Sequence, residues 1–312
     1  MFTRLWLLFR NQTIRSDGRS WPWPERHYQR KLVKWLYQVR KRMVREVEIA
    51  DGESRFRFRC ENFTELARCM KMFIKEPGSI EWIKAWVEPG DVFYAIGANI
   101  GVYTVLAAQR VGASGKVFAF EPHSATFPRL LETIAINSLS EVVTPCNIAL
   151  HERQGFFPFC YSSPEAGSSQ SQLMPQHLHR RDRNPSDVVE LKFSASLDSL
   201  IAAGGFAPAD HVKIDVDGNE LMILRGMSAL LSGRRPPKSI QVEINQDQRA
   251  AILNFMQSHG YLPAQEHQTR KGTELIEEGA DSEDHAYNII FRPKARSVAG
   301  PKSGVDAHGA GS

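Results

Sequence analysis

Arg55–Cys60 (RFRFRC) alternates charged and apolar residues without a break, the period of a strand with one buried face. Farther along, the rhythm changes to short apolar runs separated by helical ones. Val92–Ile96 (VFYAI) and Lys116–Phe120 (KVFAF) predict buried strands, joined by a helix over Val102–Arg110 that Gly112 stops. Phe127, Leu130, Leu131 and Ile134 fall at i, i+3, i+4 and i+7 of a second helix, with Ser124 as its cap. Val142–Leu150 predicts a third strand, followed by a hairpin-like excursion. Ser196–Ala203 reads as a short helix, His211–Val216 (HVKIDV) as a fourth strand and Asn219–Leu231 as a helix. Ile240–Ile244 (IQVEI) is a fifth strand, Ala250–His259 a helix ended by Gly260, and Tyr287–Phe291 a closing strand. Upstream, Glu65–Ile74 has a helical pattern, while Pro77, Gly78 and Pro89-Gly90-Asp91 punctuate the approach to the first buried strand.

A strand–helix alternation of this kind predicts an α/β fold, a mostly parallel sheet with helices on both faces. Such sheets bind ligands beyond the carboxyl ends of their strands, so the residues just after each strand carry the interest. Gly97-Ala-Asn-Ile-Gly101 follows the first, a glycine-spaced turn that opens a helix whose N–H groups suit a carboxylate or phosphate. Glu121 follows the second, 24 residues beyond Gly97, where a carboxylate suits the two hydroxyls of a ribose. Asp215, Asp217 and Glu220 follow the fourth, and Glu243 and Asn245 the fifth. Together the turn and Glu121 point to an adenosine-containing cofactor; a tight strand–helix turn with a capping acid is the plainer alternative. Asn99 stands where a dinucleotide site wants its second glycine, which counts against NAD. At Ala95 this chain has a methyl group where a site of this type would normally carry an acid.

Charge adds a separate feature at the start of the chain. Residues 1–49 hold twelve Lys/Arg against four Asp/Glu, a net +8, so the remainder carries −4 of the total of +4. Leu32, Leu36, Val39, Met43 and Val47 recur at helical spacing among those cations and predict a basic amphipathic helix. Two readings stay open for it: a helix packed on the domain with a solvated basic face, or peripheral attachment to an anionic membrane or acidic partner. The expected organisation is therefore a basic extension over 1–50, one domain over 51–293, and a Gly/Ala/Ser-rich disordered tail over 294–312. Cys60, Cys69, Cys146 and Cys160 show no paired or metal spacing and read as free thiols of a reducing compartment. With no apolar run of membrane-spanning length and no signal-peptide cleavage site after Met1–Arg10, the expected location is cytoplasmic. Nothing in the pattern suggests a nucleic-acid partner.

Five segments in order, GDVFYAIGANIGVYTVLAA, GKVFAFEP, SLDSL, VKIDVDGNELMILRG and VEIN, are similar to the FkbM family of S-adenosylmethionine-dependent methyltransferases, over roughly residues 76 to 293. The resemblance implies a seven-stranded Rossmann-like fold and O-methyl transfer to a sugar, glycolipid or polyketide-like hydroxyl, with S-adenosyl-L-methionine as cofactor. It places Gly97, Asn99 and Gly101 at the methionine part, Glu121 at the ribose, and Ala149 and Leu150 near the adenine. The family pattern has aspartate at the position of Ala95, so the acid that helps hold the cofactor's amino-acid end is missing; Glu76, upstream, is a substitute.

Methyl transfer to a hydroxyl needs alignment of the nucleophile and removal of its proton. Asp215 and Asp217 are the expected bases; Asp215 with Glu243 and Asn245 is alternatively a hard-oxygen set for a divalent cation. Lys213 is expected to pair with a carboxylate. Tyr161–Pro185, long, polar and aperiodic, reads as a lid or acceptor-binding loop in which His177, His179, Arg180 and Arg181 meet a hydroxylated or anionic substrate, or remain solvated. Two other functional classes stay open: a non-catalytic adenosine-binding module, because of Ala95, and an NAD-dependent oxidoreductase.

Overall fold

Strands with one apolar face and strands with two sort themselves into three different sheets. In a computed structural model of the chain, the residues described are 35, 45–174, 188–244, 248–268 and 287–294. The basic pattern over 32–43, the loop residues His177, His179, Arg180 and Arg181, Asn245, and the tail from 295 lie outside them. The chain divides into two units, 1–45 and 46–312, and the larger unit starts at 46. It begins there because β1 (Arg45–Asp51) pairs with β2 (Ser54–Cys60) through a turn at Gly52, which takes φ +58°. Val47, read as the last position of the basic helix, belongs to this strand. In β2, Phe56, Phe58 and Cys60 are buried and the intervening arginines face outward, as the alternation requires.

Next come α1 (Phe63–Met70), α2 (Pro77–Trp86), β3 (Val92–Ile96), α3 (Val102–Val111), β4 (Lys116–Phe120), α4 (Phe127–Ile136) and β5 (Val143–Cys146). Asn62 and Glu65 cap α1 reciprocally, the Glu65 N–H reaching Asn62 Oδ1 at 2.8 Å and the Asn62 N–H reaching Glu65 Oε2 at 3.2 Å. This helix ends at Met70, four residues before the expected Ile74. The punctuation at Pro77 conceals α2, whose first helical residue it is, a position where the missing N–H is no loss. Ser124 does not cap α4; its hydroxyl donates to Glu190 at 2.7 Å and Thr126 takes the cap position.

The third predicted strand is split. After β5, residues 147 and 148 leave the large sheet, and β6 (Ala149–Leu150) joins a second sheet with β7 (Gly155–Tyr161), β8 (Gln172–Leu173) and β9 (Val188–Ala195), in the order β6-β9-β7-β8. Asn147 fastens the break by donating to the Glu121 carbonyl at 2.7 Å. The chain then runs through α5 (Leu197–Ala202), β10 (His211–Ile214), α6 (Glu220–Arg225), α7 (Ser228–Ser232), β11 (Ser239–Ile244), α8 (Arg249–Ser258), β12 (Tyr261–Gln268) and β13 (Tyr287–Pro293). The single helix expected over 219–231 is broken at Gly226, where a side chain would lie 2.7 Å from the His151 carbonyl.

The large sheet has the order β12-β13-β11-β10-β3-β4-β5, with β13 antiparallel to both its neighbours and β11-β10-β3-β4-β5 parallel, a seven-stranded Rossmann-like α/β fold. Phe93, Trp82, Ile83, Val105 and Leu106 fill one face; Tyr94, Ile96, Val212, Ile214, Leu224 and Ile252 fill the other. Covering on both faces explains the continuous apolar strands. The chain lays down β3, β4 and β5 in one direction and returns to β10 on the far side of β3. Strand order therefore reverses between β3 and β10, and a crevice opens at their carboxyl ends. No helix among the described residues is long and apolar enough to cross a membrane.

At the opposite, amino-terminal end, a buried polar chain locks the sheet. Trp82 Nε1 donates to Ser239 Oγ at 2.9 Å, so the Ser239 hydroxyl hydrogen turns to His211 Nδ1 at 2.7 Å. His211 then carries its own proton on Nε2, 3.1 Å from Asp91 Oδ2. The Ser–His–Asp order has the look of a nucleophile triad, but all three side chains are buried, and its work is to fasten β3, β10, β11 and α2. Burial holds the His211 pKa below its ordinary 6.5 against the pull of Asp91. Below pH 6.5 the unfolded chain thus takes up a proton that the folded chain refuses, and stability falls as pH falls. In urea denaturation, the stability gap between the protein and His211→Asn should narrow between pH 7.5 and 5.5; a gap independent of pH would show that the folded chain protonates His211 as readily as the unfolded one.

Candidate functional site

Cross-strand register builds the site. Ala119, Ala95, Lys213 and Gln241 stand side by side on β4, β3, β10 and β11. Two residues farther along each strand, on the same face by the strand period, come Glu121, Gly97, Asp215 and Glu243 at the carboxyl edge. The register therefore gathers four residues that are far apart in sequence.

Beneath the edge lies a buried ion cluster. The Lys213 ammonium donates to Asp215 Oδ2 at 2.7 Å, lies 3.5 Å from Glu76 Oε2 and sits 4.5 Å from the centroid of the Tyr103 ring. Glu76 also accepts from Lys75 at 2.7 Å and from the Ser79 hydroxyl at 3.0 Å. Burial raises the Asp215 pKa, but Lys213, Lys75 and hydrogen bonds from Glu243 and Lys213 outweigh it and hold this carboxyl well below its usual range. The charge on Asp215, and then burial, push its hydrogen-bonded neighbour Glu243 well above that range. The two shifts run in opposite directions, so Asp215 favours its anion and Glu243 its protonated form. Among the described residues no three His, Cys, Asp or Glu side chains converge on a metal position, and Asn245, the third member of the expected oxygen set, lies outside those residues.

The glycine turn packs against this edge. Gly97 takes φ +79°, and a side chain there would lie 1.8 Å from the Asp215 carbonyl oxygen, so the glycine serves the junction of β3 with β10. Asn99 and Asp217 adopt left-handed φ of +50° and +59°, an uncommon conformation for residues with side chains, at the two turns that face each other. Glu121, 5% exposed, accepts from the Asn99 N–H and the His123 N–H, each at 2.7 Å. Burial pushes its pKa up to about 7 despite those donors. Asp217 accepts from the Gln170 N–H at 2.7 Å and is raised by burial. Gly101 caps α3 at φ +96° and faces Leu130 and Thr133 of α4.

Residues 163–171, the described start of the expected loop, strap the turn down. Asn99 Nδ2 donates to the Ser168 carbonyl at 3.1 Å, the Gly167 N–H to Thr126 Oγ1 at 3.1 Å, and Arg68 Nε to the Gly167 carbonyl. The strap passes between two cavities that meet at Gly97. One, of about 410 Å³, is lined by Asn99, Asp215, Asp217 and Glu243 on the strand side and by Phe63, Arg68, Lys71 and Lys75 of α1 and the turn after it. The other, of about 30 Å³, is an apolar slot formed by Phe120, Pro122, Ile148, Ala149, Leu150 and Val216. Gly97, Asn99, Asp215, Asp217, Ala149 and Leu150 thus border cavity space; Glu121 lines neither cavity and holds the turn from behind through the Asn99 N–H. Ala95 and Gly101 line neither cavity; Ala95 is packed in the core and Gly101 against α4. Sequence reasoning passed over Tyr103 and the α1 flank, although Arg68, Lys71 and Lys75 repeat at i, i+3 and i+7.

The sequence matches the methyltransferase FkbM domain over residues 95–263. It is 30% identical over 144 residues to the hexuronic acid methyltransferase AglP of Haloferax volcanii, covering 46% of this chain and 53% of that protein. It is 28% identical over 151 residues to the methyltransferase sdnD of Sordaria araneosa, covering 42% and 58% respectively. The chain thus spans little more than half the length of either relative. Among solved structures, the methyltransferase FkbM of Methylobacillus flagellatus aligns with 64% of this chain and 43% of its own at 14% identity, with a TM-score of 0.43.

Gly97→Ala tests the junction on which this edge depends. A left-handed backbone costs an alanine roughly 1–2 kcal/mol, and overpacking adds roughly 1–3 kcal/mol. The expected loss of about 3 kcal/mol should lower Tm by roughly 6 °C or more. An unchanged Tm would show that β3 and β10 can separate at this point without cost.

Proposed function

The chain belongs to the methyltransferase FkbM domain family, and on that premise we propose that it transfers a methyl group from S-adenosylmethionine to a hydroxyl of a carbohydrate acceptor. The observation that carries this reading is that two cavities share Gly97, an apolar slot on one side of the glycine turn and three acids on the other, with the buried Glu121 carboxylate holding the turn. Ile148, Ala149 and Leu150 suit an adenine, Glu121 a ribose, and the turn at Gly97–Asn99 with Asp215 and Asp217 the cationic amino-acid end. When bound, S-adenosylmethionine supplies a methyl group on a positively charged sulfur for in-line displacement. A carbohydrate acceptor is supported by the resemblance to a protein described as a hexuronic acid methyltransferase.

Within this reading the roles of the acids shift from those expected. Asp215 is committed to Lys213 and too weakly basic to take a proton from a hydroxyl; Asp217, also raised by burial, keeps one oxygen on the Gln170 N–H and is less raised than Glu243. Glu243 is the acid able to exchange a proton with an acceptor. Its high pKa makes its ionised form a stronger base, and ionisation is favoured when a cation shares the cavity. Asp215 keeps that proton off itself and positions Glu243.

Calorimetry with S-adenosylmethionine, S-adenosylhomocysteine and NAD separates the three functional classes. Binding of the first two and not NAD is expected; binding of NAD alone would overturn the proposal, and cofactor binding without methyl transfer to any saccharide in a broad panel would leave a binding module. Glu243→Gln should reduce turnover by about 10²–10⁴-fold, the usual scale for a lost base, with S-adenosylhomocysteine affinity nearly unchanged and the acid limb of the pH–rate profile removed. Asp215→Asn should lower stability as well, since a buried ammonium without its partner costs about 3–5 kcal/mol. Full turnover in Glu243→Gln would remove it from the mechanism.

A further inference from the structure

The large cavity has walls of opposite charge. The strand ends contribute the acids Asp215, Asp217 and Glu243, with Lys75 close enough to act on Asp215 and Glu243; α1 and the residue that ends it contribute Arg68 and Lys71. Lys75 is held by Glu76, and Arg68 is anchored at Nε by the Gly167 carbonyl. Lys71 is exposed and makes no ion pair among the described residues. Phe63, the first residue of α1, lines the same cavity and is 80% exposed, an unusual surface for a large aromatic ring. A net-positive cofactor end belongs against the acidic wall, which leaves the cationic wall facing whatever else enters. That wall lies outside residues 95–263, the part of the chain shared with the family.

Resting on the methyltransferase reading, we propose that the acceptor is an acidic saccharide, whose carboxylate or phosphate is held by Arg68 and Lys71 while Phe63 covers the apolar face of its ring. Arg68 offers a planar fork and Lys71 a mobile point charge, a pairing that suits either anion. Arg68, fixed in place, sets the distance from the anion to the acids of the far wall, and so selects which hydroxyl meets Glu243.

The test loads the full-length protein with S-adenosylhomocysteine and titrates p-nitrophenyl β-glucuronide, glucose 1-phosphate and p-nitrophenyl β-glucoside by calorimetry and saturation-transfer NMR. At least one anionic sugar should bind tenfold or more tightly than the glucoside, and which one identifies carboxylate or phosphate. Lys71→Ala and Lys71→Glu, on an exposed side chain whose replacement leaves folding intact, should erase that preference, Lys71→Glu more completely, with S-adenosylhomocysteine affinity unchanged. Phe63→Ala should weaken all three sugars together. Equal binding of charged and neutral sugars, or no binding of any, overturns the proposal while leaving the cofactor reading in place. So does a loss of S-adenosylhomocysteine affinity in the Lys71 variants, which would assign this wall to the cofactor's own carboxylate. Failure of the unmodified protein to bind S-adenosylhomocysteine at all defeats the methyltransferase reading itself.

Discussion

A lysine ammonium buried at the middle of a parallel sheet is expensive to dehydrate, and the architecture around Lys213 follows from that cost. It is met by two carboxylates from different parts of the chain, Asp215 two residues farther along and Glu76 at the start of α2, and by the face of Tyr103 at the start of α3. Each of those elements is held where it is partly by this one cation. Ala95, the cross-strand neighbour of Lys213, becomes intelligible in the same terms. The ammonium has both its carboxylates without one from position 95. A further anion there would crowd Glu76, Asp215 and Glu243 around a single cation. The small side chain is consistent with a site whose balancing charge arrives from α2.

The crevice depends on how closely the strands above that cluster approach. Gly97 allows the β3 turn to lie against the Asp215 carbonyl, and Glu121 holds the next residues of the turn through the Asn99 N–H. Left-handed backbone at Asn99 and Asp217 shows where the surrounding packing dictates conformation to the chain. The edge is thus formed in advance by backbone contacts, with its side chains supplying the charge.

Much of this was readable beforehand. Alternation identified β2, continuous apolar runs identified β3, β4, β10 and β11, and the rule that ligands sit beyond strand ends selected Gly97, Glu121, Asp215 and Glu243. What escaped reading did so for physical reasons. Pro77 reads as a breaker although it is tolerated in the first turn of a helix, so α2 was hidden. The edge strand β12 is polar and exposed along most of its length and bulges between Pro263 and Gln265, leaving no periodic signal. The break at Asn147 depends on a hydrogen bond to a residue 26 positions away. Spacing placed Asp215 just past β10, at the carboxyl edge of the sheet, but could not show how fully Lys213 would claim its charge, because that depends on burial and on Glu76.

The division between shared and particular features runs through the cavity itself. The acidic wall comes from strands inside the region common to the family, and its geometry is dictated by sheet register. The cationic wall comes from α1, held by its own capping box and by the strap over residues 163–171, neither of which the sheet requires. A sheet whose register fixes the donor side leaves the opposite side open to change without disturbing Lys213 or the glycine turn. On a fold that hosts many substrates, the proposed acceptor site on α1 and the strap is thus free to differ while the strand ends keep their register.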